Sequence, residues 1–120
     1  MRFFAAALAV LCVAGGHAVA EVQVSVTYLQ QEVEAPQVLS NLDPIPEDLG
    51  LAGAEVALKD NATTGRFLGH KYDLTVSQVA LGEDFVAAAR AALSRSDLIL
   101  LDARAASQLA VAELPEAAKA

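Results

Sequence analysis

Cysteine, histidine and tryptophan are scarce in this chain, which has one cysteine, two histidines and no tryptophan in 120 residues. Cys12 and His17 fall in an apolar N-terminal stretch, so the remaining chain can form neither a disulfide nor a thiolate metal site. His70 is predicted in a tight turn with no partner at metal-ligand spacing, and it gives no support to a Ser-His-acid arrangement. Gly-rich phosphate-binding loops are also missing. We therefore predict that the protein is not an enzyme and holds no metal and no cofactor.

Positive charge is scarce too, because 8 Lys and Arg residues face 15 Asp and Glu residues and leave a formal net charge of -7. Nucleic acids are bound through basic surfaces, and anionic lipids attract basic segments. The acidic balance therefore argues against nucleic acid and against a membrane surface as partners.

Residues 1–20 have the three parts of a secretory signal peptide. Arg2 supplies the positive start, an apolar run follows it, and residues 18–20 (Ala-Val-Ala) have the small-x-small form that precedes cleavage. The apolar run is shorter than the ~20 residues that a membrane-spanning helix needs. We predict cleavage after Ala20, a periplasmic mature chain of residues 21–120, and no membrane insertion after cleavage.

The mature chain begins with a predicted strand. Its apolar or aromatic positions alternate with small or uncharged polar ones and are Val22, Val24, Val26 and Tyr28. Residues 29–47 follow with three prolines and with neither a helical nor a strand period. Loops longer than ~12–15 residues are uncommon and often functional. We therefore predict a functional loop after the first strand.

Residues 48–81 are predicted to form a helix, a turn and a strand. Asp48 can cap the helix, because its carboxylate can accept from the backbone N–H groups two and three residues on. Thr64-Gly65 is placed to stop the helix, since glycine takes positive φ at little cost. A second turn at Gly69 leads into the strand, whose apolar or aromatic positions are Tyr72, Leu74 and Val76.

Three further elements complete the pattern. Asp84 is the predicted cap of a second helix, and the i, i+3, i+4, i+7, i+8 template is filled by Phe85, Ala88, Ala89, Ala92 and Leu93. Residues 98–101 are an apolar run between two acids, which is typical of a strand buried on both faces. A third helix is predicted over residues 105–114 and ends at Pro115. The order β-α-β-α-β-α predicts an α/β fold with a parallel sheet.

The helix–turn–strand segment resembles a known family. The sequence KDNATTG at residues 59–65 and LGHKY at residues 68–72 are similar to the helix end and second Gly turn of type I periplasmic solute-binding proteins. These proteins belong to branched-chain amino-acid ABC transporters. The longer run NLDPIPEDLGLAGAEVALKDNATTGRFLG resembles a subgroup associated with pyrroloquinoline quinone (PQQ)-dependent alcohol dehydrogenase systems. The resemblance covers roughly the last five-sixths of the chain.

This resemblance implies a protein of two lobes hinged around a cleft, and the chain would supply about half of one lobe. The implied function is capture of a small solute in the periplasm. The implied partners are ABC transporter membrane subunits or a PQQ-dependent dehydrogenase system. We therefore interpret the chain as an N-terminal fragment of a solute-binding protein. The alternative is a small secreted, non-catalytic interaction module that self-associates through the open edge of its last strand.

Ligands of open α/β sheets bind beyond the carboxyl ends of the strands, where the strand order reverses, which selects the loops after the first and third strands. The candidate ligand-binding residues there are Gln30, Gln31, Ser40, Asn41, Asp43, Asp102, Arg104 and Ser107. Each of them could instead solvate or cap a loop. A PQQ ligand would need a cation for its three carboxylates, and Arg104 is the natural choice. Arg66 and Lys71 are expected at the opposite end, in the turn before the second strand.

The apolar run that ends in Asp102 also resembles the strand carrying the phosphorylated Asp of a receiver domain. Such a domain needs an acidic pair after its first strand to hold Mg²⁺. This chain has Leu29-Gln30-Gln31 at that place. We therefore interpret Asp102 as a loop acid or a helix cap.

Overall fold

The computed structural model describes residues 21–34 and 46–119. The elements are β1 (Val22–Gln31), α1 (Leu49–Leu68), β2 (His70–Val79), α2 (Phe85–Leu93), β3 (Leu98–Asp102), α3 (Ala105–Ala112) and a short 3-10 helix (Ala117–Lys119). This order confirms the predicted α/β unit, and α3 ends before Pro115 as expected. The predicted signal peptide and residues 35–45 of the predicted loop lie outside the described residues. The start of that loop was predicted wrongly, because residues 29–31, with Gln30 and Gln31, belong to β1. No helix within the described ranges is long and apolar enough to cross a membrane.

The three strands form a parallel sheet in the order β2-β1-β3, so β1 is its central strand. The polar residues of β1 are compatible with this position because they are bonded to the chain segment before β3. The hydroxyl oxygen of the buried Thr27 lies 2.5 Å from the hydroxyl oxygen of Ser96, within hydrogen-bond distance. The backbone N–H and hydroxyl of Ser25 both donate to Asp97 Oδ2, at 2.8 and 2.7 Å. These two bonds hold the pKa of Asp97 below its usual range.

The hydrophobic core lies between the sheet and the pair α2 and α3. Its buried residues are Leu29, Val79, Phe85, Ala89, Val111 and Leu114. The predicted apolar template of α2 is confirmed, since its members are either buried or packed against this core. The predicted cap is confirmed as well, because the Asp84 carboxylate accepts from the Ala87 N–H at 3.0 Å.

Helix α1 lies against the opposite face of the sheet, mainly over β2. Neighbouring residues of a strand point to opposite faces, so Tyr28 and Tyr72 face α1 while Leu29 and Val79 face the core. A Cβ at Gly65 would lie 2.7 Å from the Tyr72 ring. Gly65 therefore allows the helix to approach the sheet closely.

Two predictions about the ends of α1 were wrong. The helix starts after Asp48, but the Asp48 side chain makes no capping hydrogen bond. Gly65 does not stop the helix, which continues to Gly69, where φ is 74° and the left-handed conformation ends it. The polar residues before the expected stop stay helical, and Asn61 and Thr63 donate from their side chains to backbone carbonyls four residues earlier, at 2.8 and 2.9 Å.

The prediction that β3 is buried on both faces was also wrong. Ile99 and Leu101 pack against the core, but Leu98 and Leu100 are 51% and 40% exposed on the other face. The reason is that α1 lies mainly over β2 and does not cover this part of the sheet. Within the described residues β3 pairs only with β1, so its outer edge is open, as predicted.

Candidate functional site

The side chains at the carboxyl ends of the three strands form one hydrogen-bonded chain. Gln78 of β2 donates from Nε2 to Gln30 Oε1 of β1 at 2.9 Å. Gln30 in turn donates from Nε2 to Asp102 Oδ2 of β3 at 3.2 Å. The Tyr28 hydroxyl donates to the same Asp102 oxygen at 2.5 Å. The Asp102 carboxylate at the end of β3 is thus linked directly to β1 and, through Gln30, to β2.

The strand register explains why these side chains meet. Gln30 is paired with Gln78 in β2 and with Asp102 in β3, and residues paired across parallel strands point to the same face. The start of α1 covers them closely. A Cβ at Gly50 would overlap the Tyr28 hydroxyl and lie 3.1 Å from Asp102 Oδ2. Glycine is therefore required there for the helix to begin directly above the Tyr28–Asp102 pair.

Tyr28 is held as a neutral phenol in this arrangement. Burial, together with the hydrogen bond to Asp102 and its negative charge, raises the pKa of Tyr28 from 10.0 to about 12. The raised pKa means that the folded protein binds this proton more tightly than the unfolded chain does. The stability linked to Tyr28 is fully present below pH 10 and is lost as the pH rises from 10 to 12.

This pKa predicts a late ionisation of Tyr28 in an alkaline titration. The chain has two tyrosines, so Tyr72→Phe leaves Tyr28 as the single phenol to follow by absorbance near 295 nm. We expect its midpoint at about pH 12. Adding Asp102→Asn should lower the midpoint but leave it above about 10, because burial, the larger cause, remains. A midpoint near 10 while the circular dichroism spectrum stays folded would contradict the burial of Tyr28 and its hydrogen bond to Asp102.

A cleft of about 770 Å³ opens between the ends of β1 and β2. Its lining residues are Gln30, Gln31, Glu32, Val33, Glu47, Gln78, Ala80 and Glu83. Two of its carboxylates are fixed by backbone N–H groups of the β2–α2 connection. Glu32 Oε2 accepts from Leu81 N and Glu83 Oε2 accepts from Ala80 N, each at 3.2 Å.

The structure brings four of the eight candidate ligand-binding residues together. Gln30 and Gln31 line the cleft, and Asp102 is bonded to Gln30. The Arg104 backbone N–H donates to Gln31 Oε1 at 3.1 Å, while the exposed Arg104 side chain does not line the cleft. Ser107 is half-buried on α3. The remaining three, Ser40, Asn41 and Asp43, lie outside the described residues.

Asp102 was expected to be a loop acid or a helix cap, and the structure shows that it is neither. It is the last residue of β3 and not a loop acid, and the N-cap of α3 is Arg104. Its carboxylate is used by Tyr28 and Gln30. The two remote cations lie at the expected opposite end of the sheet, but Arg66 is in the last turn of α1 and Lys71 is in β2, and neither is in a turn between them. Lys71 pairs with Glu21 at 2.6 Å, and both lie at the amino end of the sheet with Arg66.

Sequence reasoning missed the residues that β2 and its following turn contribute to the cleft, namely Gln78, Ala80 and Glu83. The sequence did contain a sign of Gln78, because it has a glutamine near the end of each of the first two predicted strands. Parallel strands in matching register would bring Gln30 and Gln78 side by side. The register itself cannot be read from the alternation. Among the described residues, no group of three His, Cys, Asp or Glu side chains could hold a metal ion.

The geometry was compared with known proteins in three ways. No family model, no curated protein and no solved structure matches the chain. The likeness to type I solute-binding proteins therefore stays a prediction from sequence motifs.

Proposed function

We propose that the protein captures a small solute without transforming it, as part of a type I solute-binding lobe in the periplasm. The observation that supports this most is the cleft of about 770 Å³ at the carboxyl ends of β1 and β2. Small-molecule sites have volumes of about 300–1,000 Å³, and ligands of open parallel sheets bind beyond the carboxyl ends of the strands, where this cleft lies. It opens beside β2, however, and not between β1 and β3, where the strand order reverses and the sequence predicted the site. By resemblance, the captured solute is passed to ABC transporter membrane subunits or serves a PQQ-dependent oxidation system.

The polar lining supports binding by hydrogen bonds. The Gln78 amide is bonded to the Gln30 amide, which in turn is bonded to Asp102, so both rotamers are restrained before any ligand arrives. A restrained amide loses less side-chain entropy when a solute binds than a mobile one does. A second groove, about 380 Å³ between α1 and β2, is smaller and lies away from the strand ends.

The lining does not favour PQQ itself as the solute. PQQ carries three carboxylates, which need positive partners. The cleft is lined by Glu32, Glu47 and Glu83 and by no Lys, Arg or His among the described residues. The association with PQQ-dependent alcohol oxidation therefore rests on the resemblance and concerns the pathway more than the ligand.

Blocking the cleft should abolish solute binding. Ala80 is exposed and lines the cleft, so Ala80→Trp places a large ring in it. We expect pools of small polar solutes to shift the amide signals of Gln30, Gln31 and Gln78 in nuclear magnetic resonance spectra of the wild type. This measurement also detects millimolar binding. In Ala80→Trp, affinity for any solute that binds should fall by at least ten-fold.

The matched control is Ala57→Trp, which adds the same ring to an exposed position of α1 that lines neither cleft nor groove. It should leave binding unchanged. Solute shifts that survive Ala80→Trp, or that map to other residues, would show that this cleft is not the binding site.

The alternative function is self-association through the open edge of β3. It is favoured by one observation: the unpaired edge lies beside Leu98 and Leu100, which are both exposed. The occupant would be the same edge of a second copy, because two such strands can extend one sheet. Sedimentation over a wide concentration range distinguishes the functions. A concentration-dependent dimer with no solute response supports association, and a monomer with solute shifts excludes it.

A further inference from the structure

We propose that the solute is positively charged and carries an alkylammonium group, an inference that rests on the proposed solute-binding function. The site is the cleft between the ends of β1 and β2, and the inference concerns the charge of what fills it. Three features of the cleft support this. Its carboxylates come from separate segments, the partial positive charges of the nearby helix amino ends are already offset by other carboxylates, and part of its lining is apolar.

The carboxylates reach the cleft from separate parts of the chain. Glu32 follows β1, Glu83 precedes α2, and Glu47 precedes α1. Glu32 and Glu83 each use Oε2 to accept from a backbone N–H, which orients the group. No cationic side chain of the described residues shares the lining. A cation in the cleft would thus be attracted by carboxylates from three separate segments, and an anion would be repelled by the same groups.

The positive ends of the neighbouring helices do not cancel this charge. The amino end of a helix carries a partial positive charge that favours anions. At the amino end of α1 this partial charge is offset by the Asp102 carboxylate, which lies close to Gly50. A Cβ added at Gly50 would be 3.1 Å from Asp102 Oδ2. At α2 the partial charge is offset by the capping carboxylate of Asp84. The glutamates of the lining are therefore additional negative charge in a chain whose formal net charge is -7.

The apolar part of the lining suits alkyl groups. Val33 and Ala80 line the same cleft as the carboxylates. Val33 is 45% exposed, so its side chain is available for contact. An alkylammonium ion presents methyl or methylene groups around a positive nitrogen, and it can meet both kinds of lining residue at once. A bare metal ion cannot use the apolar residues.

Three probes of nearly equal shape test the charge directly. Choline is the cation, 3,3-dimethylbutan-1-ol is its neutral carbon analogue, and 3,3-dimethylbutanoate is the anion. Each is titrated into the full chain, and the amide signals of Gln30, Gln31 and Gln78 are followed. We expect choline to bind at least ten-fold more tightly than the alcohol, and the anion to give no cleft shifts. Raised salt should weaken choline binding and not the binding of the alcohol.

Removing the cleft charges tests the cause. The triple variant Glu32→Gln, Glu47→Gln, Glu83→Gln keeps side-chain oxygens that can accept the backbone N–H groups. It should lower choline affinity at least ten-fold and leave the alcohol unchanged.

The matched control removes the same net charge from exposed positions outside the cleft, with Glu55→Gln, Asp60→Asn and Glu113→Gln. It should retain choline binding. An equal loss in the control would mean that the overall charge attracts choline, and would overturn the inference.

Two further outcomes separate this inference from the proposed function. Tighter binding of the alcohol or the anion at the cleft overturns the inference on charge and keeps solute capture. A cleft that responds to none of the probes and to no solute pool overturns both.

Discussion

Phe85→Ala is expected to lower the free energy of unfolding by about 3–5 kcal/mol, the usual cost of emptying a buried phenylalanine site. Phe85 is 4% exposed at the start of α2 and belongs to the core cluster with Leu29 and Val79. The cavity cannot close easily, because Leu29 is fixed in the central strand and Asp84 anchors the helix start. Small domains have total stabilities of about 5–15 kcal/mol, so this loss is a large share. Urea unfolding followed by circular dichroism measures it.

Phe67→Ala is the matched control, since Phe67 is 76% exposed near the end of α1. It loses only a surface contact with Arg66, whose guanidinium lies 5.0 Å from the ring centre. Its stability should change by no more than about 0.5 kcal/mol. If Phe85→Ala does not fold, Phe85→Leu retains most of the volume and should show a smaller loss. Equal stabilities for the two alanine variants would contradict the core described above.

Gly65→Ala is expected to destabilise the protein by about 1–3 kcal/mol, the range for overpacking a close contact. An added Cβ would lie 2.7 Å from the Tyr72 ring and 3.1 Å from His70 Cβ. Both neighbours belong to β2, and His70 is its first residue, so the helix or the strand must move. The gain in helix propensity from glycine to alanine, about 1 kcal/mol, offsets only part of this loss. Thermal and urea unfolding of the purified variant give the measurement.

The same substitution at Gly53 should have the opposite sign. Gly53 is exposed in the same helix, and a Cβ there would meet nothing within 4 Å. Gly53→Ala should therefore stabilise the protein by up to about 1 kcal/mol. A Gly65→Ala variant as stable as Gly53→Ala would show that Tyr72 can leave its position without cost, and that α1 does not depend on the close approach.

The elements with a strong local signal were predictable. The five apolar positions of α2 and its Asp84 cap lie within one short stretch, so the pattern contains both the face and the start of the helix. The alternation of β1 and the turn before β2 are local in the same way. The parallel order then follows from the alternation of strands with helices, because each crossover needs a helix to return the chain.

The errors came from residues whose role is set by distant contacts. The local sequence around Gly65 is typical of a helix end. In the structure Gly65 instead lets α1 pack closely against Tyr72, and the helix ends at Gly69. The apolar run of β3 predicts burial on both faces, but α1 lies mainly over β2 and leaves Leu98 and Leu100 exposed. Local sequence cannot show which part of a sheet a helix covers.

The sequence by itself determined the order of strands and helices, the scarcity of cysteine, histidine and cations, and the presence of Gln30 and Gln31 just after the alternating residues of the first strand. These properties depend on residue types and on spacing along the chain. Only the tertiary structure decided that Gln78 and Asp102 meet Gln30, and that Glu32, Glu47 and Glu83 share one cleft. The reason is that strand register and helix placement bring together residues up to 74 positions apart, as in the Tyr28–Asp102 pair.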